Sequence, residues 1–262
     1  MIISIVNQKG GVGKTTTAVN LGAALARAGH RTLLVDLDPQ GNASSGLGIM
    51  EEQRLPGTYE LLRGEVQPTD SIRSTAQENY HVIPANGDLA GASVELMGID
   101  NREFRLKEAL EPLKTEFSYI IIDAPPSLGL LTMNALVAAE RVLIPVQCEY
   151  YALEGLGQLL QTIGLVKEHL HPNLEVLGAV LTLFDRRVKV AHDVVREVKE
   201  HFPGRVFDTI IPRNIRLAEA PSYGKNIFEY DDESQGAQTY RLFADEVHRF
   251  ATELINQQTP QI

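Results

Sequence analysis

The sequence contains very little cysteine, since Cys148 is the only one among its 262 residues. A single thiol excludes a disulfide framework or a four-thiolate cluster within one chain. We expect Cys148 to act as a small apolar side chain beside a buried strand, as free cysteines commonly do. Histidine is scattered. His169 and His171 flank Leu170, but no cysteine or carboxylate pair nearby completes a metal site.

Long apolar runs and net positive charge are also absent. No stretch approaches the roughly 20 apolar residues that span a bilayer, and the N-terminus shows neither a basic leader nor a cleavage signal. We therefore expect a soluble, cytoplasmic protein without a membrane partner. The formal net charge is −10, so the chain as a whole should repel nucleic acid, and any DNA binding must come from a local patch.

What the sequence does contain is a regular alternation of apolar strands and helices. Strands are predicted at Ile2–Val6, Arg31–Asp36, His81–Pro84, Tyr119–Asp123, Val142–Val146, Val176–Leu183 and Val206–Ile211. The main helices are predicted at Thr15–Ala28, Phe104–Leu113, Leu153–Lys167, Ala191–His201 and Gln238–Ile255. This order favours an α/β fold whose mostly parallel sheet is covered by helices on both faces. No linker divides the chain, so residues 1–262 should form one domain, with 255–262 as a loose tail.

The segment K-G-G-V-G-K-T-T at positions 9–16 lies between the first predicted strand and helix, the context of a phosphate-binding loop. Its glycines allow backbone N–H groups to surround phosphate oxygens, and the following helix adds its positive N-terminal end. Lys14 should reach the β- and γ-phosphates of ATP, and the Thr15 hydroxyl should ligate Mg²⁺. The predicted nucleotide-binding residues of the loop are Lys9, Gly10, Gly11, Val12, Gly13, Lys14, Thr15 and Thr16.

The loop departs from the usual phosphate-loop pattern at its start. Position 8, where that pattern has its first glycine, carries Gln8, and a second lysine follows it as Lys9. This arrangement resembles the deviant Walker A motif of the ParA/MinD family of ATPases, which nitrogenase iron proteins share. The resemblance implies that Lys9 reaches across a nucleotide-sandwich homodimer to the ATP of the partner subunit. It makes Lys9 and Lys14 candidate catalytic residues.

Two further segments resemble the same family. L-V-D-L-D-P-Q-G-N-A-S at 34–44 resembles switch I, which implies that Asp38 orients the attacking water, whereas Asp36 should end a strand. A simple loop-capping role for Asp38 is the alternative, because aspartate favours turns. I-I-I-D-A-P-P-S at 120–127 resembles the Walker B and switch II segment. Asp123 would then hold Mg²⁺ through water, so Thr15 and Asp123 form the candidate metal site.

Near the C-terminus, I-I-P-R-N-I-R-L-A-E-A-P at 210–221 resembles the family segment that closes over adenine. Pro212 and Asn214 occupy the contacting positions, and an ordinary loop is the alternative. The resemblance runs from Ile2 to about Ile255 and is nearest to chromosomal, Soj-like ParA proteins. It implies an ATPase that is slow without a partner and that uses ATP and Mg²⁺ as cofactors.

Sequence features reduce the number of possible functions among those known in this family. An iron-protein reductase needs cluster-binding cysteines, and a MinD-like membrane switch needs a basic amphipathic C-terminal segment, but residues 256–262 contain no Lys or Arg. The apolar stripe of Phe243, Val247, Phe250 and Leu254 is most simply core. The terminal tyrosine cluster of a tyrosine-kinase relative is absent. DNA partitioning remains, with a non-DNA cargo positioner as the nearest alternative and a metabolic P-loop enzyme as a more distant one.

DNA binding requires a local reversal of the overall charge, and one occurs between Phe184 and Lys225. This segment holds nine Lys or Arg against six Asp or Glu, an excess of three positive charges in a chain of net charge −10. The resemblance implies that Arg187 and Arg216 contact the DNA backbone, and a solvated basic face is the alternative. We expect ATP-dependent dimers to join two such patches on nucleoid DNA. A ParB-like partner should trigger hydrolysis, in chromosome or plasmid partitioning.

Overall fold

A computed structural model of the protein describes residues 1–149 and 152–258, with side chains described there except at 93, 152–154 and 255–258. The strands are β1 (Ile2–Ile5), β2 (Thr32–Asp36), β3 (Arg73–Ser74), β4 (Tyr80–Ile83), β5 (Tyr119–Asp123), β6 (Arg141–Gln147) and β7 (Glu175–Thr182). The helices are α1 (Lys14–Arg27), α2 (Asn42–Gly46), α3 (Thr58–Arg63), α4 (Leu89–Glu95), α5 (Arg105–Leu110), α6 (Leu130–Ala138), α7 (Ala152–His169), α8 (Lys189–His201), α9 (Ile215–Glu219), α10 (Ile227–Tyr230) and α11 (Gln235–Gln258).

The strands form one seven-stranded sheet in the order β3-β4-β2-β5-β1-β6-β7. Neighbouring strands are parallel except for the edge pair of β3 and β4, which is antiparallel. One apolar core packs helices that include α5, α6 and α8 against one face, and a second core packs α1 and α11 against the other. The predicted α/β fold, with a mostly parallel sheet covered on both faces, is therefore confirmed.

Burial on both faces explains why the central strands are almost continuously apolar. Successive side chains of a strand point to opposite faces, so each position meets one of the two cores. In β1, Ile2 packs in one core while Ile3 and Ile5 pack in the other, and none is more than 1% exposed. Cys148, just after β6, is likewise buried, as predicted.

The predicted strand at Val206–Ile211 is wrong. Within this segment only Val206 forms an isolated bridge, with Ala179 of β7, so the segment follows the outer edge of β7 without joining the sheet as a strand. Pairing is interrupted because the backbone N–H groups of Asp208 and Thr209 donate to the buried Glu246 carboxylate of α11, at 2.8 and 3.0 Å. A local sequence pattern contains no information about a distant acceptor of this kind.

Helix α11 extends beyond its predicted end. Its backbone continues through Gln258, so residues 255–258 of the predicted loose tail are helical, and 259–262 lie outside the described residues. No glycine or proline occurs between Ile255 and Gln258, so the sequence of this stretch contains nothing that interrupts a helix. Phe243 and Val247 of this helix are fully buried, as predicted for core. Within the described ranges, no helix is both long and apolar enough to cross a membrane.

Candidate nucleotide site and basic groove

The candidate nucleotide site is a cleft at the carboxyl ends of the central strands. Parallel register places Asp123 of β5 beside both Ile5 of β1 and Asp36 of β2, so the loops after these strands meet at one edge. In open parallel sheets, ligands bind at this edge. The cleft has a volume of about 690 Å³. The predicted residues that line it are Gly10, Gly11, Gly13, Lys14, Thr15, Thr16 and Asp38.

Tertiary contacts hold the phosphate loop in shape. Gly11 and Gly13 have φ angles of +74° and +87°, a left-handed conformation that favours glycine. Val12 is buried beneath the loop, and its carbonyl accepts a hydrogen bond from the Thr182 hydroxyl of β7 at 2.7 Å. Helix α1 begins directly after Gly13, so its first backbone N–H groups point toward the cleft without intrahelical acceptors. This is the geometry of an anion site at a helix N-terminus.

Lys14 is buried at the start of α1, with only 7% of its surface exposed. Its Nζ donates to the carbonyl of Lys9 at 3.1 Å, and it forms no ion pair with any described carboxylate. Burial lowers the pKa of Lys14, while the charges of Asp123 and Asp38 act in the opposite direction. Burial of an ammonium group without a partner is energetically unfavourable, so an anionic ligand in the cleft would stabilise the charged form of Lys14.

Asp123 is fully buried at the end of β5, and neither carboxylate oxygen has a hydrogen-bond partner among the described residues. Burial, and next the charge of Asp36, raise the pKa of Asp123 well above its usual range. The Thr15 hydroxyl opposes this shift without reaching hydrogen-bonding geometry. Buried carboxylates are normally paired or bound to a metal. Thr15 and Asp123 therefore offer oxygen ligands of the kind that Mg²⁺ prefers, and they fit the predicted metal site.

The two aspartates of the predicted switch I segment have different environments. Asp36 is fully buried and accepts hydrogen bonds from the N–H and hydroxyl groups of Ser44, at 2.8 and 2.7 Å. Burial nevertheless raises the pKa of Asp36 to about 6. Asp38 lines the cleft, and its Oδ1 accepts from the N–H of Gln40 at 3.0 Å. Asp36 therefore ends the strand as predicted, and a turn contact of Asp38 is compatible with a catalytic role because it uses one oxygen only.

The two predicted adenine contacts lie beside the main cleft. Pro212 and Asn214 border a smaller cavity of about 90 Å³ together with Gly13 and Thr16 of the phosphate loop. The Asn214 side chain also accepts a hydrogen bond from the N–H of Leu217 at 3.2 Å and so caps α9. The capping contact gives Asn214 a structural role, and the adenine role of both residues stays a prediction.

The sequence analysis missed residues that line the cleft from the C-terminal half of the chain. Pro221, Ser222 and Lys225 lie between α9 and α10 and border the cleft. Asn20 of α1 helps to place this connection, because its Oδ1 accepts from the N–H of Ile227 at 2.8 Å. Pro221 could have been predicted from the sequence, since it ends the segment that resembles the adenine loop. Lys225 could not, because it is far from the phosphate loop in the chain and no local pattern indicates that the two are close in space.

One of the two predicted DNA-binding arginines, Arg187, lines a second, exposed surface. This surface, here termed the basic groove, has a volume of about 570 Å³ and is lined by Phe184, Asp185, Arg186, Arg187, Pro212, Arg213, Ile215 and Gln235. The Arg187 side chain is 82% exposed and pairs with Asp185 at 2.7 Å. Arg216 directly follows the groove residue Ile215 and pairs with Glu219 at 3.1 Å. Arg187 thus lines the basic groove, Arg216 is next in the chain to a groove residue without lining the groove, and nearby acids compensate both charges.

A glycine loop between a strand and a helix, with a buried lysine and a strand-end aspartate beside it, defines a P-loop nucleotide-binding protein. Residues 1–176 match the protein family described as an AAA domain. The chain is 56% identical to the chromosome partitioning protein ParA of Myxococcus xanthus, over 94% of this chain and 87% of that protein. It is also 56% identical to the sporulation initiation inhibitor protein Soj of Bacillus subtilis, over 94% and 97%. The chain therefore belongs to the ParA/MinD family of P-loop ATPases, with the ParA and Soj proteins of chromosome partitioning among its relatives.

A solved structure agrees with this placement at the level of the fold. It is that of a cobyrinic acid a,c-diamide synthase from Mycobacterium smegmatis with bound ADP and magnesium. The two proteins are 41% identical with a TM-score of 0.85, and the alignment covers 96% of this chain and 95% of the other. That protein carries the name of a metabolic enzyme, and a shared fold does not by itself imply a shared function.

Proposed function

We propose that the protein is a Mg-ATP-dependent switch of chromosome or plasmid partitioning that dimerises with ATP, binds DNA without sequence preference and resets by hydrolysis. One observation carries the proposal: Lys14 and Asp123 are buried at the strand ends beside the cleft without an ion-pair partner among the described residues, and Nζ of Lys14 donates to the carbonyl of a second lysine, Lys9. The 56% identity to ParA and Soj proteins over most of the chain supports the partitioning role.

The cleft suits Mg-ATP as its ligand. The loop N–H groups and Lys14 would bind the phosphates, while Thr15 and Asp123 would hold Mg²⁺, which when bound neutralises phosphate charge. The similar structure from Mycobacterium smegmatis, with bound ADP and magnesium, supports this assignment. Asp38 lines the same cleft and is proposed to orient the attacking water. Pro212 and Asn214 are the proposed adenine contacts.

Lys9 is placed to act outside its own subunit. Its side chain is 39% exposed and does not line the cleft, whereas Lys14 fills the usual position of the phosphate-loop lysine. The Lys9 N–H donates to Oδ1 of Asn7 at 2.9 Å, so the backbone is held while the ammonium end is accessible. We infer that each Lys9 completes the nucleotide site of the partner in an ATP-bound homodimer.

The basic groove is the proposed DNA surface. Exposed arginines that already pair with acids contribute little individually, so affinity must come from the number of phosphate contacts. A dimer doubles that number, which links DNA binding to the ATP state and predicts association with the nucleoid. No arginine lines the described part of the cleft, which supports a ParB-like activator that supplies a basic residue. An added arginine accelerates phosphoryl transfer by about 10³–10⁵ in related systems.

Light scattering with Mg²⁺ and a non-hydrolysable ATP analogue tests the dimer. The wild-type mass should double only with the analogue. Lys9→Ala should bind the analogue but stay monomeric, because Lys14 and the loop backbone remain intact. Lys167→Ala, which removes an exposed lysine of α7, is the matched control. A Lys9→Ala protein that dimerises like the wild type overturns the role of Lys9 in the dimer, a wild type that binds the analogue without dimerising overturns the dimer, and a wild type that does not bind the analogue overturns the nucleotide role.

A metabolic role is the second candidate, favoured by the 41% identity to the protein named as a cobyrinic acid a,c-diamide synthase. The higher identity to ParA and Soj, 56%, favours partitioning. ATPase measurements with DNA, with a cognate ParB-like protein and with both separate the two roles. Joint stimulation supports partitioning. Fast turnover by the purified protein alone contradicts the need for a partner.

A further inference from the structure

Glu149 lies between the phosphate loop and the basic groove, and one cation from each shares its carboxylate. Nζ of Lys9 lies 3.7 Å from Oε2 of Glu149. A terminal guanidinium nitrogen of Arg213, a groove residue, lies 3.4 Å from Oε1. Among the described residues, these two cations are the only ion-pair partners of Glu149, and Glu149 is the only acidic partner of Lys9.

The order of strands in the sheet explains how residues so far apart in the chain meet. Glu149 follows β6, which lies between β1 and β7 in the sheet. The phosphate loop follows β1, and the first groove residues follow β7, all at the carboxyl edge. Glu149, just after β6, therefore lies at the strand edge between the loop that follows β1 and the groove residues that follow β7. An acid at this position can contact both.

Both cations have hydrogen-bonded backbones and partly exposed side chains. The N–H of Lys9 donates to Asn7 at 2.9 Å, and the N–H of Arg213 donates to the carbonyl of Phe184 at 2.9 Å. Their side chains, by contrast, are 39% and 57% exposed. Glu149 therefore influences where the two charged ends rest without holding the loops themselves.

We propose that Glu149 is an autoinhibitory residue, which retains Lys9 and Arg213 in the single subunit and must release Lys9 before that lysine reaches a second subunit. This inference rests on the proposed role of Lys9 in dimerisation. One carboxylate carries a single negative charge, so the triphosphate of a partner subunit outcompetes it for Lys9. The contact thus raises the protein concentration at which the dimer forms.

The surrounding charges predict whether removal of Glu149 affects dimerisation or DNA binding more strongly. Arg213 also contributes, after Arg187, to holding the pKa of Asp185 below its usual range, so Arg213 has a second acid nearby. Removal of Glu149 would leave Arg213 with that acid but leave Lys9 without an acidic partner among the described residues. The change in dimerisation should therefore exceed the change in DNA affinity.

Glu149→Gln tests the proposal, with Glu168→Gln as the matched control. Glu168 is exposed on α7 and pairs only with His169 among the described residues, so both variants remove one negative charge. Light scattering over a range of protein concentrations, with Mg²⁺ and a non-hydrolysable ATP analogue, gives the midpoint of dimerisation. We expect the midpoint of Glu149→Gln to fall by about two- to ten-fold relative to Glu168→Gln, because two exposed ion pairs open per dimer. Fluorescence anisotropy with a random-sequence duplex should show a smaller increase in the DNA affinity of Glu149→Gln.

Two further variants make the result decisive. Lys9→Ala/Glu149→Gln should stay monomeric, because removal of Glu149 strengthens dimerisation only through Lys9. Stronger dimerisation in this double variant would overturn the proposal. Glu149→Asp keeps the charge on a shorter side chain, so its midpoint should lie between those of the wild type and Glu149→Gln. If the wild type dimerises and Glu149→Gln behaves like Glu168→Gln, the autoinhibitory role is wrong while the proposed function stands. A wild type that never dimerises overturns both.

Discussion

The nucleotide cleft and the basic groove carry their charges in opposite ways. In the cleft, Lys14 and Asp123 are 7% and 0% exposed and have no ion-pair partner among the described residues. In the groove, Arg187 is 82% exposed and already pairs with Asp185. Isolated buried charges oppose folding, so a protein that retains them at a cleft has a site built for a charged ligand. Exposed paired charges oppose folding very little and contribute little individually to binding.

The comparison indicates that the two sites gain affinity by different means. The cleft concentrates a few buried groups around one ligand, so each of its side chains should matter greatly. In the proposed function, the groove depends on repetition, because each arginine would offer one weak, salt-sensitive phosphate contact. One subunit would then suffice to hold a nucleotide, whereas DNA affinity would require the grooves of two subunits.

The largest effect is expected from Asp38→Ala in the cleft. Loss of the group that orients the attacking water should lower ATP turnover by about 10²-fold or more. ATP binding should persist, so the variant should accumulate as a dimer that stays on DNA. Measurements of phosphate release and nucleotide binding check this prediction, with Asp245→Ala, at an exposed position of α11, as the control. If Asp38→Ala fails to bind ATP, the residue is structural and the cleft comparison must be revised.

At the proposed DNA surface, Arg187→Ala and Arg216→Ala should each reduce the slope of log affinity against log salt by about 2, since each arginine occurs twice per dimer and each contact contributes about 0.9. The loss should be similar for unrelated duplexes, because phosphate contacts carry no sequence information. Dimerisation with ATP should survive. Arg196→Ala is the control, because this exposed arginine of α8 also pairs with a nearby acid, Asp193, and no DNA contact is proposed for it. Unchanged salt slopes would make the groove a solvated face and favour a non-DNA cargo.

A smaller effect is expected at the base of the cleft. Thr182→Val removes the 2.7 Å hydrogen bond to the buried Val12 carbonyl. The free energy of unfolding should fall by about 1 kcal/mol, the scale of one internal hydrogen bond, with some loss of ATP affinity. Denaturant unfolding checks this, and Arg196→Ala should leave the unfolding midpoint unchanged. Equal midpoints for both variants would show that the hydrogen bond beneath the phosphate loop does not contribute to stability.

The smallest effect is expected at the opposite edge of the sheet, away from both sites. Burial, and next the charge of His248, lower the pKa of His30 below its usual 6.5, and the two rings lie 4.3 Å apart. The unfolded chain therefore binds more protons, so this contribution to stability is present above pH 6.5 and is lost as the pH falls through the lowered value. His30→Gln should make the Tm fall less steeply on acidification, whereas the control His169→Gln, at an exposed position of α7, should not change this slope. Nucleotide and DNA binding should be unaffected, and an unaltered pH profile contradicts the assignment.

Much of the cleft could be predicted from the sequence because its residues follow strand ends. Residues 9–16 are contiguous, and their glycines and lysines report directly on loop geometry. Asp38 and Asp123 each come at or just after an apolar strand, and a parallel sheet gathers such ends at one edge. The register of Asp36 and Asp123 side by side confirms that reasoning for the strands themselves.

The misses have a different physical origin. Val206–Ile211 has the composition of a strand, but its N–H groups at Asp208 and Thr209 bind Glu246 of α11 instead of a neighbouring strand. Lys225 lines the cleft although no local pattern marks it. In each case the deciding contact comes from a segment far away in the chain, so periodicity and composition contain no trace of it.

By itself, the sequence determined the phosphate loop, the alternation of strands and helices and the family, because all three depend on neighbours along the chain. Only the tertiary structure decided how the charges are shared. It buried Lys14 and Asp123 without ion-pair partners among the described residues, and it placed Glu149 between Lys9 and Arg213. These outcomes depend on which strands lie side by side, and strand order arises from packing of the whole sheet, not from any local period in the sequence.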